Sequence, residues 1–263
     1  MTDPGIEDKV PEESAEMRLQ RFLARAGVAS RRKCERLITE GRIAVNGRIV
    51  AELGTKVAPG RDVVEFDGSR VELPQDGSHV VIMLNKPKGY VTSMEAVQSQ
   101  NDLPVSDLIP LDEFPSLFYV GRLDRDTTGL LLFTDDGDLG NALTHPSRGV
   151  TKRYLAHIEG ELGQEDRAVL ENGIQLDDGM TSPAVCEVLN VRADGTSDVA
   201  LSIHEGRKRQ VRRMFSAIGH EVIDLERTDF GPLSIGGLPY GSWRMLDDGE
   251  RARLYAACGL QYV

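Results

Sequence analysis

The chain has 263 residues, with 42 Asp and Glu against 31 Lys and Arg, and its formal net charge is −11. This length suits one large domain or two smaller ones, and no apolar run approaches the ~18 residues of a membrane span. Cys34, Cys186 and Cys258 lie far apart in the sequence. Their spacing excludes a disulfide framework and a CxxC zinc site, and it favours a reducing, cytoplasmic location.

The first 16 residues contain six acidic residues and a single lysine. They lack the basic and apolar regions of a secretory signal. With two prolines and few apolar residues, they are predicted to form a disordered acidic tail.

Residues 17–65 reverse the charge balance, with eleven Lys and Arg against five acidic residues. Apolar residues from Leu19 to Ala26 recur at helical spacing, and Gly27 ends this helix. Ser30 is a suitable N-cap for a second helix that ends at Gly41. Asn46-Gly47 then predicts a type I′ turn between two short strands.

The stretch LQRFLARAGVASRRKCERLITEGRIAVNGRIV resembles the alpha-L RNA-binding domain first seen in a small-subunit ribosomal protein. The resemblance implies that this segment binds RNA, although a run of charge is more often only a solvated surface. The expected RNA-binding residues are Arg18, Arg31, Arg32, Lys33 and Arg36.

Residues 66–79 are rich in Gly, Pro and Asp and are predicted to be a linker, with a short strand at Arg70–Leu73. From residue 80 to 263 strands and helices follow without regular alternation, which argues against a doubly wound parallel sheet. The expected fold class is α+β, with a mixed, mainly antiparallel sheet and peripheral helices. The strands are expected at 80–84, 118–120, 130–134, 154–158, 185–191, 199–204 and 221–225, and the helices at 139–143, 166–172 and 210–218.

Three clusters carry residues suited to chemistry. The segment GRLDRDTTG, residues 121–129, is a polar loop between two apolar strands, a common place for an active site. Its Asp124 and Asp126 point the same way in an extended loop but need not do so in a turn. The alternative is a polar hairpin whose Asp and Thr residues serve the turn alone. Tyr154 follows on a strand, and the basic cluster comprises Arg207, Lys208, Arg209, Arg212 and Arg213.

Four segments together resemble the RsuA/RluB type of ribosomal RNA pseudouridine synthases: LNKPKGYVTS, VGRLDRDTTGLLLFTDDGDL, KRYLAHI and EGRKRQVRRMFSAIGHEVIDLER. The match covers nearly all of residues 17–255. It implies a pseudouridine synthase domain from residue 80 to the end, and an enzyme that isomerises uridine to pseudouridine in ribosomal RNA. Large-subunit RNA is weakly favoured over small-subunit RNA.

The resemblance also implies roles for individual residues. Asp124 matches the catalytic aspartate, Tyr154 the aromatic residue that stacks on the target base, and Arg212 the basic partner of the catalytic carboxylate. Leu225 corresponds to the apolar lining of the uracil pocket, and Arg122 to an arginine that holds the flipped-out conformation. Arg207, Lys208, Arg209 and Arg213 are expected to bind RNA. Asp126, Asp135, Asp136 and Asp138 match no catalytic position and are assigned to turns and caps.

The reaction gains and loses no atoms, so no cofactor and no metal are expected. Asp124 could act as a nucleophile or as a base, and either role requires its ionised form. A guanidinium in contact with a carboxylate lowers its pKa by about 1–3 units, the role expected of Arg212. The expected partner is ribosomal RNA or an assembling ribosomal subunit, without membrane contact, and the chain is expected to be a monomer.

Two alternatives remain at this point. A ribosome-binding or assembly protein without catalytic activity would use the same basic surfaces, but it would have no need of Asp124, Tyr154 and Arg212 together. A glycoside hydrolase would use two carboxylates across a sugar cleft, but aromatic residues make up only 5% of this chain.

Overall fold

The structure is a computed structural model that describes residues 16–73, 79–95 and 102–262. The predicted acidic tail lies outside the described residues, except for Glu16. The chain divides into two compact units, with the boundary between residues 78 and 79. No helix in the described ranges combines the length and the apolar character needed to span a membrane.

In its described residues, 16–73, the first unit contains two helices and six short strands. The helices are α1 (Leu19–Arg25) and α2 (Arg31–Thr39). The strands are β1 (Met17–Arg18), β2 (Ile43–Val45), β3 (Arg48–Ile49), β4 (Lys56–Val57), β5 (Val64–Phe66) and β6 (Ser69–Val71).

Local sequence signals account for this unit. The Ser30 hydroxyl accepts a hydrogen bond from the Lys33 amide and caps α2. Asn46 and Gly47 have φ values of 51° and 73°, as a type I′ turn between β2 and β3 requires. The apolar face of α2 packs with that of α1 and with β2, β4 and β5 in one core. The predicted helices and hairpin are therefore confirmed.

Part of the predicted linker is instead folded into this unit. The strands β5 and β6 pair antiparallel across a turn at Asp67-Gly68, where both residues have positive φ. The Asp67 carboxylate is also ion-paired with Arg42. The short spacing of Gly and Asp that suggested a linker here marks a tight hairpin turn.

The second unit contains the remaining elements. Its helices are α3 (Gly137–Thr144), α4 (Gln164–Asn172), α5 (Gln210–Ala217) and α6 (Asp248–Ala257). Its strands are β7 (Val81–Lys86), β8 (Tyr90–Val91), β9 (Leu103–Pro104), β10 (Phe118–Val120), β11 (Thr127–Thr134), β12 (Lys152–Ile158), β13 (Gln175–Leu176), β14 (Gly179–Met180), β15 (Val185–Val191), β16 (Ser197–Ile203), β17 (Val222–Phe230), β18 (Leu233–Ser234) and β19 (Trp243–Met245).

A nine-stranded sheet forms the centre of this unit. Its main order is β15-β16-β12-β17-β11-β7-β19, with β10 added beside β11 and β18 beside β17. The pairing of β11 with β17 is parallel, and the other pairings described for this sheet are antiparallel. The expected mixed, mainly antiparallel sheet is confirmed. Strands β7 and β17 are longer than predicted, because each continues into the polar residues beside the site described below.

The two faces of the sheet are covered differently. Helices α3 and α6 pack on one face around β7 and β11. On the other face, α4 and α5 cover β12 and β16 with one apolar cluster, and residues near 105–123 cover β7 and β11 with another. The Tyr154 side chain packs against both of these clusters. The region between these two apolar clusters forms the base of a cavity and its opening to solvent.

Candidate active site

A cavity of about 570 Å³ opens on this face of the sheet. The loop between β10 and β11 forms one side, and the segment before α5 forms another. Side chains from β12 and β17 line the floor. Four of the five residues predicted for catalysis and for binding the target base line this cavity: Arg122, Asp124, Tyr154 and Leu225. The predicted RNA-binding residues Arg207, Lys208 and Arg209 also line it.

The loop that carries Asp124 is held from below by a buried lysine. Lys86 has no solvent exposure, and its Nζ donates hydrogen bonds to the carbonyls of Thr127 (2.7 Å), Pro87 (3.1 Å) and Arg125 (3.4 Å). Burial lowers the pKa of Lys86 to about 8, although the charges of Asp126 and Asp124 oppose this shift. Lys86 therefore ties the end of β7 to the loop.

Two further contacts determine the course of this loop. The Leu123 side chain is buried, and its amide and carbonyl both hydrogen-bond the Thr92 hydroxyl, at 3.1 and 2.7 Å. Since Leu123 is anchored inward, its neighbours Arg122 and Asp124 lie at the cavity. Gly129 follows with φ +102°, and a Cβ there would lie 2.3 Å from the Arg227 carbonyl oxygen. Glycine is therefore required where β11 meets β17.

The expected ion pair between Asp124 and Arg212 is not formed. Within the described part of the chain, the cation found within 4.0 Å of the Asp124 carboxylate is Arg209, at 4.0 Å. Arg212 instead contacts Asp126, with 3.4 Å to Oδ2 and 3.2 Å to the carbonyl oxygen, and donates to the Val222 carbonyl at 2.7 Å. The loop makes a turn, with the Thr127 amide bonded to the Asp124 carbonyl, so the two aspartates have different surroundings.

Asp126 therefore does more than form the turn, because its carboxylate also binds arginine side chains. It accepts hydrogen bonds from Arg209 at 3.2 and 3.5 Å. Burial alone would raise the pKa of the Asp126 carboxyl, but the Arg209 hydrogen bond and the Arg212 charge outweigh it and hold the pKa below its usual value. Asp126 therefore links the loop to the start of α5, and Asp124 is left one-third exposed in the cavity.

Tyr154 and Leu225 are placed by strand register. Ala156 on β12 pairs with Leu225 on β17, and Tyr154 pairs with Arg227. Residues two apart on a strand share a face, so the Tyr154 ring, Leu225 and Arg227 all reach the same cavity. The strand spacing in KRYLAHI indicated this face, but the pairing with Arg227 could not be deduced from sequence.

The basic cluster before and within α5 separates into two groups. Arg209 and Lys208 are exposed at the cavity, and Arg209 has φ 50°, a backbone conformation uncommon outside glycine. Arg207 and Arg213 instead bind the turn between β13 and β14. Arg207 pairs with Asp178 at 3.2 Å, and Arg213 pairs with Asp178 at 2.6 Å and with Asp177.

The carboxylates near Asp124 already have hydrogen-bond or ion-pair partners within the protein. Asp126 is bound to two arginines, and Glu205 accepts from the Gln210 amide at 2.6 Å and from the Ser182 amide at 3.0 Å. The paired free carboxylates of a glycosidase are therefore not present in this cavity among the described residues. Those residues also contain no cluster of three or more His, Cys, Asp or Glu placed to hold a metal ion.

In the first unit, the predicted RNA-binding side chains of α2 are exposed, opposite its buried Cys34, Leu37 and Ile38. Within the described ranges, they make no ion pair of 4.0 Å or less. These four side chains are Arg31, Arg32, Lys33 and Arg36.

Comparison with known proteins identifies the class of both units. Residues 80–217 match the RNA pseudouridylate synthase family, and residues 17–63 match the S4 domain. The chain therefore belongs to the RNA pseudouridine synthases, isomerases that act on RNA, and it carries an S4 domain before its catalytic fold.

Individual relatives match over almost the whole chain. An uncharacterised RNA pseudouridine synthase of Aquifex aeolicus is 42% identical over 94% of this chain and 97% of its own length. The ribosomal large subunit pseudouridine synthase B of Bacillus subtilis is 45% identical over 91% of this chain and 96% of its own. A crystal structure of a pseudouridylate synthase superposes with a TM-score of 0.64 at 30% identity, covering 90% of this chain and 99% of that one.

Proposed function

We propose that this protein isomerises a specific uridine in ribosomal RNA to pseudouridine, with the large-subunit RNA as the favoured substrate. The observation that carries the proposal is the cavity that brings Asp124, Tyr154 and Leu225 together beneath exposed cations. The name of the Bacillus subtilis relative supports the choice of large-subunit RNA.

Base flipping delivers the target to this cavity. Removing a base from its stack costs a few kcal/mol, and stacking on an aromatic ring returns about 1–3 kcal/mol. Tyr154 supplies that ring and Leu225 the apolar surface beside it. Arg122, Lys208 and Arg209 are exposed around the cavity and meet the phosphates that remain outside.

Asp124 reacts at the ribose. Its carboxylate either adds to the anomeric carbon or removes a proton from the sugar, and both roles need the ionised form. Arg209 at 4.0 Å supplies the positive charge nearest to it in the unliganded site. Arg212 contributes by holding Asp126 and thereby the shape of the loop.

The S4 domain contributes affinity. Its exposed Arg18, Arg31, Arg32, Lys33 and Arg36 bind the RNA backbone, and the binding weakens as salt rises because each phosphate contact releases counterions. A protein with a net charge of −11 can bind RNA in this way because its cations are concentrated at particular surfaces. Arg207 and Arg213 would contact phosphate only in competition with Asp177 and Asp178.

The test combines the wild-type protein with Asp124→Asn. We expect wild-type protein to form pseudouridine in ribosomal RNA, detected by mapping modified positions, and the variant to form none while its RNA affinity stays within severalfold. The exposed Asp112 lies outside the cavity, so Asp112→Asn is the matched control and should keep full activity. Substantial turnover by Asp124→Asn would remove this residue from its proposed role. A wild-type protein that binds ribosomal RNA but modifies no uridine would favour the binding-only alternative.

A further inference from the structure

Among the residues that the structure describes, two buried cations on the cavity floor lack a carboxylate partner. Lys152 is 8% exposed and Arg227 is 3% exposed, and both line the cavity. The Lys152 ammonium lies 5.4 Å from the centre of the Phe230 ring, and the Arg227 guanidinium lies 5.0 Å from it. Across the described residues, the Lys152 side chain has no hydrogen bond or ion pair. Arg227 Nε donates to the Leu130 carbonyl at 2.7 Å, and Arg227 Nη2 has no hydrogen-bond partner.

This arrangement is costly for the free protein. A buried charge is normally paired or fully hydrogen-bonded, because transfer from water penalises the charged form. Lys86, on β7 of the same sheet, satisfies this rule with three carbonyl contacts. Lys152 does not, and the nearby Arg227 charge adds to the burial that lowers its pKa to about 8. The pair is therefore suited to an anion that enters the cavity.

Position distinguishes this pair from the cations at the entrance. Arg209, at the entrance, has a side chain 44% exposed. Arg227 instead pairs across the sheet with Tyr154, so the two side chains are neighbours on one face. A flipped nucleotide whose base stacks on Tyr154 would place the base, not its phosphate, beside Arg227.

The chemistry at that position creates negative charge. When the C1′–N1 bond breaks, its electron pair stays with the uracil ring and spreads over N1, O2 and O4. The Asp124 carboxylate either bonds to C1′ of the ribose or removes the proton from C2′. The C5 atom of the ring then bonds to C1′. In the first route the carboxylate leaves C1′, and in the second the proton returns to C2′. Finally C5 gives up its proton and N1 gains one.

We propose that Lys152 and Arg227 stabilise the detached uracil anion by facing its carbonyl oxygens. This inference rests on the proposed function. The ring oxygens are neutral acceptors in bound substrate and become charged after cleavage, so the two cations interact more strongly with the cleaved state. Such differential binding accelerates the chemical step rather than tightening RNA binding.

The experiment measures RNA binding, single-turnover rate and thermal stability of Lys152→Met in the full chain. We expect the rate constant to fall about 10²-fold, as for loss of a donor to a developing oxyanion. The RNA Kd and its salt slope should stay at the wild-type values, and the melting temperature should be equal or higher, because an unpaired buried cation has been removed. Lys152→Arg should restore part of the rate.

The matched control is Lys88→Met. Lys88 is exposed and pairs with Asp224 at 2.8 Å outside this cavity, so its variant should keep the wild-type rate. A Lys152→Met protein that is as fast as an active wild type would overturn the inference alone. So would a variant with weaker RNA binding and a salt slope reduced by about one, since that marks a phosphate contact. A lower melting temperature without rescue by Lys152→Arg would overturn it in favour of a structural role. An inactive wild-type protein would instead contradict the proposed function.

Discussion

Lys86 and Lys152 are two buried lysines, each with a pKa lowered by burial to about 8, yet their surroundings differ. Lys86 is bonded to three backbone carbonyls, whereas Lys152 faces the Phe230 ring. The hydrogen bonds of Lys86 are satisfied within the protein, whereas the Lys152 ammonium lacks a polar partner in the described residues. Residue type and burial are therefore insufficient to assign a role, and the partners of each charged atom decide it.

Lys86→Met tests the support of the loop that carries Asp124. The substitution removes the Lys86 hydrogen bonds to the carbonyls of Pro87 and Thr127, and each unsatisfied buried group costs about 1–3 kcal/mol. The Arg125 carbonyl keeps the Gly89 amide as a donor at 2.8 Å. We expect the free energy of unfolding to fall by about 2–4 kcal/mol and the single-turnover rate to fall as the Asp124 loop loosens. Denaturant unfolding and single-turnover kinetics measure the two effects. Lys88→Met, which removes only a surface ion pair, should change stability by no more than about 1 kcal/mol. Equal stability of Lys86→Met and wild type would contradict the anchoring role.

At the scale of elements, α5 and the hairpin of β13 and β14 are joined by charge. Arg207 also donates to the carbonyls of Gly179 and Met180, so it holds β14 as well as the turn. The basic cluster in the sequence predicts binding to an external anion, but two of its arginines are satisfied within the protein. Helix α5 was predicted from local signals, whereas its contact with the hairpin depends on how the chain folds back between residues 178 and 207.

The Asp178 carboxyl provides a measurable test of this contact. The Arg213 hydrogen bond, with a further one from Arg207, lowers its pKa to about 2 despite opposing desolvation. Because the folded-state pKa is depressed, the stabilisation is fully present above the ordinary Asp value of about 3.9 and is lost as the pH falls through about 2. Titration of the carboxyl carbon by NMR should show this low pKa, and Arg213→Met should move it toward the ordinary value. The exposed Arg167, paired with Glu171 on α4, gives the control Arg167→Met, which should leave Asp178 unchanged. An ordinary pKa in wild-type protein would exclude the contact in solution.

At the scale of the whole molecule, the two units have separate cores. The core of the first unit is formed by α1, α2 and its own strands, and the apolar clusters of the second unit draw only on residues from 80 onward. Their charges differ as well, because residues 17–65 are basic within an acidic chain. Affinity for RNA and catalysis are therefore expected to be separable.

A protein that begins at His79 tests this separation. With its own core intact, it should fold and keep the secondary structure of the second unit, as circular dichroism and a cooperative thermal transition would show. Its RNA affinity should fall at least tenfold at low salt, and the salt slope of binding should drop by about 0.7 for each lost backbone contact. The full chain in which Arg31, Arg32, Lys33 and Arg36 are changed to Gln is the matched control and should lose affinity in parallel. Unchanged affinity of both proteins would contradict RNA binding by the S4 domain.

Local sequence patterns were sufficient for most elements and for the choice of loop. Apolar periodicity, the Ser30 cap and the Asn46-Gly47 turn act over a few residues, so they identify helices and hairpins without knowledge of the fold. The motif resemblance likewise selected Asp124, Tyr154 and Leu225, and all three line one cavity.

Long-range charge pairing was not predictable in this way. Asp124 and Asp126 are two residues apart and chemically identical, and the turn at Thr127 gives the arginine contacts mainly to Asp126. Arg227 was not singled out because its place beside Tyr154 depends on the register of β12 with β17. Electrostatic partners are set by distances of a few ångströms between segments far apart in the chain, so packing determines them and local sequence does not.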